Sequence, residues 1–152
     1  MKLLLTLLLC CASLLAAAQT HEERAVAAIL MAEAWSEGVI GMTAVAEVIH
    51  QRVIEKKKTP LEVISARRGR YHAFSCLNGS SLSVLIEKFQ HQPDYTKALQ
   101  IAQTLCRTPA ELPGLTNSAN HFTRKTERPY WARGIEPVAV IGQHAFYRLE
   151  QY

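Results

Sequence analysis

The 152-residue sequence lacks most of the signatures by which a chain announces its chemistry. It has neither the glycine-rich turn of a dinucleotide site nor a P-loop, so nothing marks a nucleotide partner. No HExxH or comparably tight spacing is present, so a metal site drawn from Glu33, His121 and His144 has only its donor types in its favour. No nucleophile elbow presents a serine or cysteine. The 17 Lys and Arg residues are not interleaved with aromatics in a stripe, which argues against a nucleic-acid partner. The short run RRGR, residues 67–70, reads as a solvated loop. No internal repeat or low-complexity tract divides the chain.

Cysteine is nearly as scarce, and two of the four, Cys10 and Cys11, lie in the opening MKLLLTLLLCCASLLAAAQT. That segment carries one basic residue, Lys2, then an uncharged apolar stretch ending in Ala16, Ala17 and Ala18. This is the pattern of an export signal over residues 1–18, cut before Gln19. An uncleaved anchor is the alternative, its apolar span near the lower limit for crossing a bilayer. A lipoprotein cut before Cys10 is disfavoured by Leu9, which is bulky where a small residue belongs. The expected mature chain, residues 19–152, has the size of one compact domain and keeps no stable membrane anchor. Without Lys2 it carries 16 basic and 13 acidic side chains, a balance that suits an anionic polymer without naming one. Its remaining cysteines, Cys76 and Cys106, could pair in an oxidising compartment. That bond would close a loop of about 30 residues, worth ~2–4 kcal/mol; two free thiols are the alternative.

What is present is mostly helical spacing. Residues 22–37 read as a first helix, with Val26, Leu30, Glu33 and Glu37 on one side and Gly38 as its stop. Residues 41–58 read as a second, burying Val45, Val48, Ile49 and Val53, with Thr43 as a candidate cap. Thr59 and Pro60 mark the start of a short third helix. Residues 65–81, rich in Ser, Gly and Arg, form a long excursion of the kind that often lines a site. Helical spacing returns over 81–89 and 94–107, then weakens after Pro109. HAFYRL, residues 144–149, is open between a strand and an irregular segment. The expected fold is mainly α, an α+β helical body with irregular site loops, little β-structure and a cleft between body and loops.

Residues 25–32 contain no polar side chain, and Glu33 breaks that run where the pattern would continue inward. Leu30, Ala34 and Trp35 would limit its hydration, which favours the protonated form that a general acid needs. Glu37 would add like-charge repulsion, or position water or sugar, if both carboxylates face one cavity. Two exposed glutamates at a helix end are the alternative, and the residues alone leave both open. Other polar and aromatic groups are scattered through TNSANHF (116–122), PYWARG (129–134) and IGQHAFYRL (141–149). His121 reads first as a satisfied structural histidine and Trp131 first as core, with ligand and sugar-platform roles behind them.

Taken in order, these segments resemble the cell-wall hydrolase family of the spore cortex-lytic enzymes, the SleB/CwlJ type, from about Glu23 to Leu149. AEAWSEG (32–38) matches the family's Glu-Ala-Arg-Gly-Glu segment through Glu33, Ala34 and Glu37. AVAEVIHQRV (44–53), the Phe74–Ser75 pair, TNSANHF, PYW and IGQHAFYR follow in the expected order. The resemblance implies a lysozyme-like fold acting on peptidoglycan glycan strands between N-acetylmuramic acid and N-acetylglucosamine. The chemistry would be that of a lytic transglycosylase or a muramidase, without metal or other cofactor. Glu33 would be the catalytic acid and base, and Glu37 the second catalytic glutamate. Gln51, Phe74, Ser75, Thr116, His121, Trp131, His144 and Tyr147 would bind substrate. An N-acetylmuramoyl-L-alanine amidase is the enzymatic alternative, and a wall-binding domain with weakened catalysis is the other. Trp35 and Ser36 replace the family's arginine and glycine, Gln51 its asparagine, and Ala73 its glutamine. Gly114, Leu115 and Ser118 replace the usual aspartate, proline and glycine, which leaves specificity open. The implied location is the periplasm or the extracellular wall, and the implied state is monomeric.

Overall fold

The apolar run at residues 25–31 is buried on every side because the helix that carries it is the centre of the fold. The structure, a computed structural model, describes residues 18–150; residues 1–17 of the expected leader lie outside that part. Helix α1 (His21–Ala34) starts with a capping box. Thr20 Oγ1 accepts the Glu23 N–H at 3.1 Å, and Glu23 Oε2 accepts the Thr20 N–H at 3.1 Å. A helix surrounded by other elements has no use for a polar face, which is why this one shows none over two turns.

The first helix ends three residues earlier than its periodicity predicts. Ala34 leaves helical geometry (φ −143°, ψ 17°), and a 3-10 turn over Trp35–Glu37 follows. Gly38, at φ +64°, then redirects the chain straight into α2 (Gly38–Lys56). Thr43 is therefore a buried residue inside α2 and not its cap. Met42, Val45 and Ile49 of α2 meet Val26, Ile29 and Leu30 of α1 in the main core. The run His21–Lys56 is long and apolar enough to cross a membrane, but 56% of its apolar window is buried among the other elements. Burial of that kind marks core helices.

Helix α3 (Pro60–Ser65) begins as its sequence predicts, with Thr59 and Glu62 forming a second capping box around Pro60. The excursion after it holds two short antiparallel strands, β1 (Arg67–Arg68) and β2 (Tyr71–His72), and a 3-10 turn at Ser75–Asn78. Helix α4 (Leu82–Phe89), capped by Ser81, and helix α5 (Tyr95–Arg107) then close over α1.

The segment that sequence left open is a strand. Strands β3 (His121–Arg124), β4 (Ala139–Ile141) and β5 (His144–Tyr147) form an antiparallel sheet in the order β3-β5-β4. All four residues of the central strand are buried, so HAFY shows no alternation of polar and apolar side chains. Phe146 packs with Ala44, Val48 and Ala119 and fastens the sheet to α2. The architecture is a mostly helical body with a small sheet on one flank.

Cys76 and Cys106 are free thiols, contrary to the expected disulfide. Cys76 lies against Glu33 near the C-terminal end of α1, and Cys106 lies near Glu22 and Glu23 at the other end. Ten helical residues separate Glu23 from Glu33, about 15 Å at the α-helical rise, which is far beyond the reach of one disulfide.

Candidate functional site

A cleft of about 490 Å³ opens where the last turn of α1, the 73–76 segment and the face of β3 converge. Glu33, Phe74, Ser75, Trp131 and His144, all expected from sequence, line it together. Glu33 reaches it because α1 stops one residue later, so its side chain leaves the core at the helix end. One long hydrogen bond, from the Cys76 N–H at 3.4 Å, holds Glu33 Oε1. Burial, and then the charge of Glu33 and a hydrogen bond to it, push the Cys76 thiol well above its usual range. That sulfur therefore remains a neutral S–H beside the carboxyl.

Glu37 takes a different position from the one its spacing suggested. It belongs to the 3-10 turn, and its carboxylate lies behind His144, off the cleft wall. His144 Nδ1 approaches Glu37 Oε1 to 2.8 Å, but not at the angle of a well-formed hydrogen bond, and both side chains are about nine-tenths buried. Glu37 Oε2 has no hydrogen-bond partner. Gly41 and Gly142 make the room: a Cβ on the first would strike the Glu37 side chain, and on the second its carboxylate. The His144 ring, edge-on to Phe122 at 5.3 Å, is what this packing presents to the cleft.

Trp131 is the aromatic wall, and two of the expected binding residues stand behind it. His121 lies 5.1 Å from the Trp131 ring, and Tyr147 meets that ring edge-on at 5.5 Å. Neither lines the cleft. Tyr147 is almost wholly buried. Burial, reinforced by Arg52, Lys56 and Arg68, pushes His121 down to about 4, so its ring is neutral at neutral pH. His121 Nδ1 is 3.0 Å from Asn120 Oδ1, which also accepts the Leu149 N–H at 2.9 Å. An oxygen cannot donate, so Nδ1 carries the ring proton.

Thr116 and Gln51 also sit outside the cleft lining. Thr116 is buried under Glu47, whose carboxylate accepts the Leu115 N–H, the Thr116 N–H and the Thr116 hydroxyl, each at 2.8 Å. This clamp holds the turn through Asn117 and Ser118, both at positive φ, against α2. Gln51 bonds Glu55 on the outside of α2. Its neighbour Arg52, about 100° around the helix, faces the cleft instead. Arg52, Thr123, Arg124 and Glu127 are the polar lining residues that sequence reading missed. Arg52 and Glu47 had the signal that singled out Glu33, a charge set within an apolar helical pattern.

Among the described residues, no group of three or more His, Cys, Asp and Glu side chains is arranged to hold a metal ion. No curated protein and no solved structure matches the chain. The model of one family, Cell Wall Hydrolase, matches residues 36–147. That span begins three residues after Glu33 and takes in Glu37, every other cleft residue named above, and the sheet. It covers well over half of the sequence, and on that ground the chain belongs to the cell wall hydrolase family.

Proposed function

We propose that this cell wall hydrolase cleaves peptidoglycan strands between N-acetylmuramic acid and N-acetylglucosamine, with Glu33 as general acid, by the intramolecular route of a lytic transglycosylase. The observation that carries the reading is Glu33 itself. A buried helix delivers this carboxyl to an aromatic-walled cleft, where one long hydrogen bond is its contact with the backbone. Its oxygens are thereby disposed toward a bound strand. Glu33 donates its proton to the glycosidic oxygen as the bond to muramic acid C1 breaks. The positive charge that develops on the ring is met by the Glu33 carboxylate and the dipoles of the cleft. The 6-hydroxyl of the same muramic acid then attacks C1 and returns its proton to Glu33, leaving a 1,6-anhydro end and restoring the acid.

In this reading Trp131 covers a sugar face, while His121 and Tyr147 set its angle. Glu37 acts through the placement of His144. The working domain is residues 19–152, lysozyme-like in its use of a helix-borne glutamate, and it acts as an exported monomer. A muramidase is the second reading, and Glu127 favours it. This second cleft carboxylate, held by the Thr123 hydroxyl at 2.9 Å, could direct a water to C1.

Mass spectrometry of peptidoglycan digested by the wild type and by Glu33→Gln tests the proposal. Anhydro-muropeptides from the wild type and none from the variant are expected. Reducing ends would turn the reading to hydrolysis, and equal products from both proteins would sink Glu33. A folded wild type that pulls down wall material but releases nothing would mean a binding domain.

A further inference from the structure

Beside the neutral Cys76 thiol, the ionisable groups of the cleft wall are Glu33, Arg52, Arg124, Glu127 and His144. The protein itself engages most of them. Glu33 receives the Cys76 N–H, Glu127 receives the Thr123 hydroxyl, and His144 rests on Glu37. Arg52 donates from Nε to Asn120 O at 2.6 Å, with its guanidinium 5.3 Å from the Phe74 ring centre. Arg124 is different. Among the described residues its guanidinium has no ion pair and no hydrogen bond. Strand register puts it in the wall, because Arg124 on β3 stands opposite His144 on β5. Residues directly opposite in an antiparallel pair point to one face of the sheet, their Cβ atoms about 5 Å apart. Phe122, two residues back on the same face, meets the His144 ring edge-on. The backbone under Arg124 is pinned as well: Arg124 O accepts the Glu127 N–H at 2.9 Å, and Gln143 O accepts the Lys125 N–H at 2.8 Å. A fixed strand thus carries an unengaged guanidinium into the cleft.

The planar fork of an arginine matches a carboxylate, which it can hold through two parallel hydrogen bonds. Of the two sugars in a wall strand, N-acetylglucosamine offers no charge. Muramic acid carries a lactyl group, which is a bare carboxylate in a denuded strand. In a peptide-bearing strand that group is an amide, whose carbonyl oxygen still accepts. Glu127 on the same wall repels an anion that enters the cleft unpartnered, so the position of Arg124 decides where such a group can sit. We infer that Arg124 holds the lactyl group of a muramic acid seated in the cleft, so that the protein takes wall strands in preference to a neutral polymer of N-acetylglucosamine. The inference rests on the wall-strand reading of the cleft, but it is measured by binding and not by turnover.

The test uses the full mature chain carrying Glu33→Gln, titrated calorimetrically with three tetrasaccharides. One is a peptide-free wall fragment with its lactyl carboxylates, one is the same fragment with those carboxylates converted to methylamides, and one is N-acetylglucosamine tetramer. The acid should bind tighter than its amide by roughly five-fold at low salt, the scale of one exposed ion pair, and the gap should narrow in high salt. The N-acetylglucosamine tetramer should bind more weakly than the acid. Adding Arg124→Gln should bring the acid-to-amide ratio below about two-fold while the N-acetylglucosamine tetramer binds as before. Arg124 is exposed, so the fold is expected to persist. Lys88→Gln removes the same charge from α4, outside the cleft lining, and should leave the ratio intact. Equal binding of acid and amide would overturn the inference. So would a full ratio in Arg124→Gln, or an equal loss in Lys88→Gln. A wild type that cleaves no strand yet keeps the preference would sink the glycosidase reading and leave this one standing, whereas cleavage without the preference would do the reverse.

Discussion

The two ends of α1 each carry a glutamate with a cysteine close by, and they are built to opposite rules. At the N-terminal end Glu23 is almost wholly enclosed: it closes the capping box with Thr20 and takes a two-pronged bond from Arg107, Nη2 to Oε2 at 2.9 Å. At the C-terminal end Glu33 is half-exposed to the cleft and receives one long backbone bond. Glu47 repeats the closed arrangement on α2, with three donors on two oxygens. A carboxylate whose oxygens are taken up by protein donors stabilises the fold, whereas one left facing a cleft has its oxygens available for a ligand. Geometry separates these glutamates: Glu23 and Glu47 are enclosed by donors, and Glu33 is not.

The largest effect on stability should come from a closed site. Glu47→Ala strands the buried N–H and hydroxyl of Thr116 and the half-buried N–H of Leu115 and should cost about 3 kcal/mol, read by chemical denaturation. A cost below about 0.5 kcal/mol would mean that such enclosure does not mark a structural role. Gly142→Ala comes next. Its φ of +57° is unsuited to a side chain and the new Cβ would press on the Glu37 carboxylate. A loss of about 1–2 kcal/mol is expected, together with slower release of wall fragments as His144 shifts. An unchanged rate would remove Glu37 from the working end of the molecule.

Glu23→Gln should show chiefly in the pH dependence of stability. Arg107 holds the Glu23 carboxyl below its ordinary 4.5 in the folded chain. Its contribution is therefore complete above pH 4.5 and is lost as pH falls through the lowered folded value. Melting curves of the variant should lack that part of the acid limb, and an acid limb identical to that of the wild type would contradict the assignment. The smallest effect should come from reductant. With both thiols free, dithiothreitol should leave the melting temperature unchanged, whereas a clear drop would reinstate the disulfide.

Much of this was legible in the sequence. The Thr59–Pro60 start of α3, the turn at Gly38 and the break in the apolar run at Glu33 all depend on neighbours within one or two turns. So do the helices over 82–89 and 95–107. The parts that were not legible depend on how distant segments meet. Periodicity extended the first helix through Glu37, because nothing in WSE signals a 3-10 turn. Gln51 and Arg52 are adjacent in the chain, and the choice of which one faces the cleft is set by the approach of Asn120. His121 and Tyr147 stand behind Trp131 because β3 and β5 pair in one register, with His121 opposite Tyr147. Cysteine spacing fixed the length of a loop but not the 15 Å or so of helix between the two thiols.

The most direct test of the account is to measure wall-fragment release and thermal melting together for Glu33→Gln. The account predicts a release rate lower by about 100-fold or more, the usual scale for removing a general acid, with a melting temperature equal to or above that of the wild type. A variant that releases fragments at the wild-type rate would contradict it, and one that melts many degrees lower would place Glu33 among the structural glutamates.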